Sequence, residues 1–313
     1  LEYASEAEKW LQMAATESDK LITSGRYEIY NTGHPQEDYF NMYRIDDKSD
    51  LKEAVLYVDY KTNILEHNMA AAGREAGCGF SKSFVESFLC SDGLPISLSN
   101  KYLGDETMRK ETANRDPRLK QLILTNDFPT NVTDDLKDST FVVNEDEFIT
   151  QHCFTGYRPI KGFNPIYSQA LYMKSSFDGI AYRYAETLLI NAEAKAELNT
   201  ITNADLDRTV NQLRDRVGMP HLTVNVGFTD PKWPDWGYSL SPIMQEIRRE
   251  RCIELAGEGF RFNDLKRWKA GKVLNNVLTY VGKRKPDGNL AIVYPNYTNP
   301  DLSYQAGKSR TWE

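Results

Sequence analysis

The sequence predicts a mainly α-helical fold in which a helical scaffold carries a long irregular loop layer. Apolar residues recur at helical spacing in residues 5–22 and again after residue 180, which predicts the helices. Residues 26–178 are rich in Gly, Asn, Asp and Ser and largely lack that periodicity, which predicts the loops. We therefore expect a scaffold helix in 1–25, a loop-rich region facing a ligand in 26–178, and a helical region with an extended tail in 179–313.

The first helix is predicted over residues 5–22. Ser5 followed by Glu8 is the pattern of a capping box, and Gly25 follows the last turn. Trp10 lies on the apolar stripe, so we expect it in the core, as we do Trp268 near the other end of the chain.

Two short helices are predicted inside the loop-rich region, over residues 81–90 and from Pro117 to Leu124 with Asp116 as N-cap. Longer helices are expected after residue 180. The periodicity indicates one over 181–198 and a second that Asn203 caps and that ends before Gly218. Two helices joined by a short polar turn form an antiparallel hairpin, the unit of a helical repeat.

A further helix is predicted to begin at Ser241-Pro242, and helical periodicity continues through Leu265 and Trp268. The antiparallel hairpin has to bury its apolar face against another element. The helix of residues 5–22 is the candidate neighbour.

Composition excludes several classes of protein. With 38 basic and 45 acidic residues the net charge is −7, which argues against a broad nucleic-acid surface. No apolar stretch is long enough to cross a membrane. The four cysteines form no C-x-x-C pair, so no zinc knuckle is indicated.

Motifs of catalysis are also missing from the sequence. It contains no H-E-x-x-H, G-x-S-x-G or Walker sequence, and its four histidines are far apart. We therefore expect a protein that is not an enzyme and needs no cofactor. The sequence leaves metal binding, calcium included, open.

Aromatic residues in the predicted loops suggest a sugar-binding surface. A flat ring stacks on the apolar face of a sugar while nearby amide and guanidinium groups bind its hydroxyl groups. The alternative is that each ring is buried under a long loop. The candidate stacking residues are Tyr60, Trp233 and Trp236, and the candidate polar contacts are Asn63, His67, Asn68 and Arg74.

A dense set of charged residues follows residue 249. Opposite charges recur at steps of three residues, pairing Arg251 with Glu254 and Asp264 with Arg267. We interpret the set as a partly buried salt network that joins two helices across the turn 257–259. The alternative is a catalytic or anion-binding cluster. The members are Glu250, Arg251, Glu254, Glu258, Arg261 (predicted to pair with Glu258), Asp264 and Arg267.

Several segments resemble the SusD/RagB family of outer-membrane nutrient-binding lipoproteins, and they follow the order of the family over essentially the whole chain. The most characteristic is RYAETLLINAEA at residues 183–194. The others are residues 84–88, 92–93, 115–119, 211–220, 247–251, 254–255, 258–261 and 264–268.

The resemblance implies an α-α superhelix of tetratricopeptide-like helix pairs overlaid by long loops. It also implies non-catalytic binding of an oligosaccharide or, in some members, of a peptide, and delivery to a SusC-like TonB-dependent transporter. A glycoside hydrolase is the less favoured alternative. The expected location is the outward face of the outer membrane, held by a lipid anchor that this sequence does not contain. The match corresponds to the larger, C-terminal part of the family.

Overall fold

A computed structural model describes residues 4–70, 79–126, 131–132, 138–139, 153–285 and 287–292. Within these residues the chain is mainly helical, with three antiparallel pairs of short strands. The helices are α1 (Ala4–Thr23), α2 (Asp38–Asn41), α3 (Lys82–Ser87), α4 (Met108–Thr112), α5 (Arg118–Leu122), α6 (Tyr167–Ala170), α7 (Tyr184–Glu197), α8 (Asn203–Asp207), α9 (Val210–Arg216), α10 (Pro242–Glu254) and α11 (Phe260–Arg267). The strands are β1 (Ala54–Val58), β2 (Asn131–Val132), β3 (Asp138–Ser139), β4 (Gly179–Arg183), β5 (Val281–Arg284) and β6 (Leu290–Ile292).

Helix α1 packs along α7. Its buried positions include Ala15 and Ser18, and the amide of Asn191 donates to the carbonyl oxygen of Ala15 and to the hydroxyl of Ser18, both at 3.0 Å. The helix begins at Ala4, so Ser5 lies inside it rather than at its cap. The expectation that Trp10 is in the core is wrong: its side chain is 57% exposed, and the first buried position of α1 in the described residues is Ala15.

A two-stranded ribbon joins the loop-rich region to the helices. Strands β1 and β4 pair antiparallel, with Ala54 opposite Arg183 and Val58 opposite Gly179. Helix α7 follows β4 directly, so the helix predicted over 181–198 begins three residues later than expected. The ribbon therefore fixes where residues 59–70 and 167–178 meet.

The helix predicted after Asn203 is two helices. Thr202, not Asn203, caps α8, and its side chain forms a capping box with Asp205. Thr209 then leaves helical geometry while its hydroxyl bonds the carbonyl oxygen of Asp205 at 2.6 Å, which separates α8 from α9. Ser241 caps α10 with proline in the first turn, as predicted.

The loop-rich region contributes most of a second hydrophobic core, to which Ile253 of α10 also belongs. Phe88, Leu119, Leu122 and Tyr157 are fully buried there. The helices predicted in this region form, but they are shorter. Ser81 caps α3, and Pro117 replaces Asp116 as the N-cap of α5.

Candidate functional site

Two segments lie side by side beyond the end of the ribbon, and we call them the loop pair: residues 59–70 and 167–178. Backbone hydrogen bonds join them at His67 and Ser175, at 2.9 Å in one direction and 3.1 Å in the other. The hydroxyl groups of Thr62 and Ser176 bond each other at 3.1 Å. The loop pair therefore continues the antiparallel arrangement of β1 and β4 as a cross-linked platform.

Tyr60 is held from three sides at the base of the loop pair. Its backbone N–H donates to Oδ1 of buried Asp178 at 2.8 Å. Its ring meets the ring of His67 nearly edge-on, with centroids 4.4 Å apart, and lies close above the backbone of Gly179. The side chain is half-buried. Tyr60 thus presents part of a ring in a fixed orientation.

Both ring nitrogens of His67 bind the protein itself. Nε2 lies 2.8 Å from the carbonyl oxygen of Phe177, and Nδ1 accepts from the backbone N–H of Met69 at 3.1 Å. Burial lowers the pKa of His67, the bond to Phe177 opposes that shift, and Lys48 adds to it. In this structure His67 positions the ring of Tyr60 and offers no free nitrogen to a ligand.

The two asparagines of the loop pair differ in their partners. Oδ1 of Asn68 accepts from the backbone N–H of Met173 at 3.0 Å, and its Nδ2 has no partner among the described residues. Asn63 sits with φ of 63° in the exposed turn between Lys61 and Leu65. Its side chain makes no hydrogen bond within the described part of the chain. Both amides are therefore available as donors, whereas Arg74 lies outside the described residues.

Sequence reasoning missed the most exposed rings of this surface. Tyr172 is 75% exposed, Tyr167 59% and Tyr182, on β4, 56%. They belong to a larger exposed apolar surface, with five large apolar side chains exposed between residues 56 and 69 and five between 167 and 182. The run Leu171-Tyr172-Met173, in a segment without helical or strand periodicity, was the signal that would have found them.

The two predicted tryptophans lie elsewhere, beside α10. Trp236 is 3% exposed, packs edge-to-face on Trp268 with centroids 5.5 Å apart, and donates its indole N–H to Gln245. The ring is enclosed on both faces, so its predicted role as a stacking platform is corrected to a core role. Trp233 is half-buried, and its indole N–H donates to Oε1 of Glu246 at 2.7 Å. No hydrogen bond or ion pair of the described residues joins either tryptophan to the loop pair.

The predicted charged set is part of a larger buried network centred on Glu254. This fully buried carboxylate accepts from Arg216 at 2.7 Å, from Arg183 at 2.6 Å and from Arg118 at 3.0 Å. Arg118 and Arg214 also bind Glu250. We call this set the arginine–glutamate network: Glu53, Arg118, Arg183, Arg214, Arg216, Glu250, Glu254 and Glu258.

Of the three ion pairs predicted from helical spacing, one forms, and in the other two the arginine has a different partner. Asp264 and Arg267 pair at 2.9 Å as expected. Arg251 bonds Asp264, also at 2.9 Å, rather than Glu254, and so ties α10 to α11. Arg261 lies over the rings of Trp236 and Trp268, at 5.9 Å and 6.0 Å, instead of pairing with Glu258.

Glu258 lies at the edge of the network and receives Arg183 at 2.7 Å and Lys161 at 2.6 Å. Burial alone would raise the pKa of Glu258, but Arg183 and Lys161 outweigh it and lower the pKa to about 2. Burial lowers the pKa of Lys161 to about 8, and the opposite charge of Glu258 limits the shift. The geometry is that of ion pairs that hold β4, α9 and α10 together.

The described residues lack both a membrane-spanning helix and a cluster of metal ligands. None of the helices there combines the length and the apolar character that a membrane crossing requires. In the same residues no three or more His, Cys, Asp or Glu side chains are grouped so as to hold a metal ion.

Known proteins give matches in fold and in sequence family. A SusD-like protein from Bacteroides fragilis superposes with a TM-score of 0.60 at 23% identity, over 85% of this chain and 52% of that one. A SusD-like carbohydrate binding protein from Bacteroides fragilis gives 0.63 at 23% identity, over 92% and 57%. The chain thus spans little more than half the length of these structures. No curated protein matches it significantly.

The family model matches almost the entire chain rather than a local motif. The match to the SusD family runs over residues 22–309 and so includes the ribbon, the loop pair and the arginine–glutamate network. This chain belongs to the SusD family.

Proposed function

We propose that this protein captures an oligosaccharide at the loop pair without altering it chemically. The observation that carries the proposal is the exposed ring of Tyr172, whose neighbour Met173 binds Asn68, together with the exposed rings of Tyr167 and Tyr182. The side-chain N–H groups of Asn63 and Asn68 have no partner in the described residues. Aromatic faces stack on sugar rings, and free amides bind hydroxyl groups. The structural relative described as a carbohydrate binding protein supports the same ligand class.

Affinity at such a surface is expected to be modest. Each stacked ring contributes on the order of 1 kcal/mol beyond the area it buries, and an exposed platform leaves much of the ligand in water. With the area that they bury and the hydrogen bonds beside them, two or three such contacts are expected to give dissociation constants of about 1 μM to 1 mM, which correspond to a total of about 8 to 4 kcal/mol. Binding at several points along a polymer then raises the apparent affinity.

The wider role belongs to the same proposal. The protein would act at the outer face of the outer membrane, on a tetratricopeptide-like scaffold, held there by a lipid anchor. It would pass its ligand to a SusC-like TonB-dependent transporter, without a cofactor and without catalysis. Membership of the SusD family supports this placement.

A peptide is the second candidate ligand, and one observation favours it. The loop pair also exposes aliphatic and thioether side chains, which suit peptide side chains better than sugar hydroxyl groups. The most exposed of them are Ile64 (80%), Met69 (55%), Leu65 (49%) and Met173 (46%).

The test compares Tyr172→Ala with Phe262→Ala. Both rings are at least 70% exposed, but Phe262 lies on α11 and is not part of the loop pair. We expect the parent and Phe262→Ala to bind neutral polysaccharides equally well in affinity electrophoresis and in calorimetry. Tyr172→Ala should bind them more weakly in both measurements. Preference for peptides over every glycan would favour the second candidate. Release of sugar from a glycan by pure protein would overturn non-catalytic binding.

A further inference from the structure

A cleft opens at the other end of the ribbon, between the end of α1, the start of α7 and α9. Its volume is about 440 Å³, which is in the range of small-molecule sites. Tyr60 packs over Gly179, the first residue of β4. Tyr184, which lines the cleft, directly follows the last residue of the same strand. Five residues of extended chain separate the two points by about 17 Å, so the cleft is distinct from the loop pair.

An aromatic pair forms the apolar wall of the cleft. The rings of Tyr27 and Tyr184 stack with centroids 6.0 Å apart and planes inclined by 30°. Tyr184 is 3% exposed and packs in the helical core, while Tyr27 is half-buried. Ile22 and Ile29 flank the pair and pack on the same core. The wall is therefore held from behind and can receive a flat apolar face.

Two side-chain amides line the rim of the cleft, those of Gln212 and Asn31, and each makes one hydrogen bond through only one of its two polar atoms. Nε2 of Gln212 donates to the carbonyl oxygen of Arg208 at 2.9 Å, which leaves Oε1 without a partner in the described residues. Oδ1 of Asn31 accepts from the backbone N–H of Gly33 at 3.0 Å, which leaves Nδ2 equally unpaired there. The rim thus offers one acceptor and one donor.

The two carboxylates of the cleft already have partners. Glu28 pairs with Lys52 at 2.9 Å, and Asp215 lies 2.7 Å from Nε2 of His221. A cation would have to compete with these basic groups, and an anion would meet two carboxylates. A neutral ligand with hydroxyl groups meets neither obstacle, since a hydroxyl both donates and accepts.

We propose that this cleft binds one neutral sugar ring, with its apolar face on Tyr27 and its hydroxyl groups at Gln212 and Asn31. The site would bind a short sugar on its own, separately from the loop pair. The proposed site consists only of the cleft's own residues, and a sugar can bind there whether or not the loop pair binds a ligand.

Fluorine NMR of the whole chain labelled with fluorotyrosine tests the site directly. Tyr27→Phe assigns the signal of Tyr27, and neutral malto-, cello-, xylo- and manno-oligosaccharides are the probes. We expect at least one of them to shift the Tyr27 signal in a saturable way. Gln212→Ala should raise the dissociation constant about fivefold, as expected for the loss of one hydrogen bond. Gln12→Ala, an exposed glutamine on α1, is the matched control and should leave it unchanged.

The outcomes separate this proposal from the function proposed for the loop pair. A Tyr27 shift that persists in Tyr172→Ala supports an independent cleft, even if retention by the loop pair is absent. If the Tyr27 signal does not shift at sugar concentrations up to about 20 mM, which is above the dissociation constant of any useful site, the proposed sugar site is wrong. A shift that trilysine causes and no sugar causes would also contradict the proposal. The same is true of a Tyr27 shift that is lost in Tyr172→Ala, and of a dissociation constant that is unchanged in Gln212→Ala.

Discussion

The arginine–glutamate network and the loop pair are both rich in polar groups, but they use them in opposite ways. In the network Arg118, Arg216 and Glu254 are at most 1% exposed, and each binds an oppositely charged side chain. In the loop pair, which also exposes tyrosine rings, the side-chain N–H groups of Asn63 and Asn68 have no partner among the described residues. A group whose bonds are all made inside the protein stabilises one geometry, whereas a group with spare bonds at the surface is available to a ligand.

Substitutions in the two regions should differ in what they cost the protein. Removing one partner from a buried ion pair leaves the other charge without solvent or counter-charge, which is strongly destabilising. Removing an exposed ring costs little folding energy and acts on binding instead. Substitutions in the two regions should therefore separate stability from affinity.

The largest effect is expected for Glu254→Gln. The neutral amide leaves three buried guanidinium groups short of a counter-charge, so the free energy of unfolding should fall by about 3–5 kcal/mol. Urea unfolding followed by circular dichroism measures the change. Glu28→Gln is the control, since its pair with Lys52 is exposed and contributes about 0–1 kcal/mol. Equal unfolding midpoints for the two variants would contradict the role given to the network.

Acid should weaken the network over a defined pH window. The pKa of Glu258 is lowered in the folded protein from 4.5 to about 2, so its contribution to stability is complete above pH 4.5 and is lost as pH falls towards 2. A shift of this size corresponds to about 3 kcal/mol. Urea unfolding of the parent and of Glu258→Gln at several pH values measures it, and the two curves should converge in acid. Curves that stay parallel throughout would refute the assignment.

Local rules predicted the elements better than they predicted contacts. The start of α10 at Ser241-Pro242 was predictable because cap and proline act within one turn. The stripe of α1 identified a face but not what covers each turn of it, so Trp10 was placed wrongly. Helical spacing found the pair of Asp264 and Arg267, three residues apart.

Contacts between distant segments were beyond sequence reasoning. Arg118 and Glu254 are 136 residues apart, and no local pattern joins them. The same holds for the candidate site. Tyr60 and His67 were grouped because they are neighbours in sequence, whereas Tyr172 enters the surface only through the ribbon that brings 167–178 against 59–70. Trp236 was misplaced because burial of a loop aromatic depends on tertiary packing.

Within the loop pair, Tyr60 and Tyr172 should behave differently. Tyr60 is half-buried against His67 and Gly179, so Tyr60→Ala should lower the free energy of unfolding by about 1–2 kcal/mol as well as weaken glycan retention. Tyr172→Ala should weaken retention with no change in melting temperature, since its side chain is 75% exposed. Differential scanning fluorimetry beside affinity electrophoresis separates the two effects. Identical melting temperatures of the two variants would show that Tyr60 contributes no more to folding stability than Tyr172 does.

The smallest effect is expected for Arg261→Ala. Because Arg261 lies over Trp236 and Trp268 and not beside Glu258, its loss should cost about 1 kcal/mol of stability and leave ligand affinity per folded molecule unchanged. A double-mutant cycle with Glu258→Gln is the decisive measurement. Independent sites give a coupling energy within about 0.5 kcal/mol of zero, whereas a direct ion pair gives more. A larger coupling energy would show that Arg261 interacts with Glu258 and therefore belongs to the arginine–glutamate network, and not only to the aromatic core of Trp236 and Trp268.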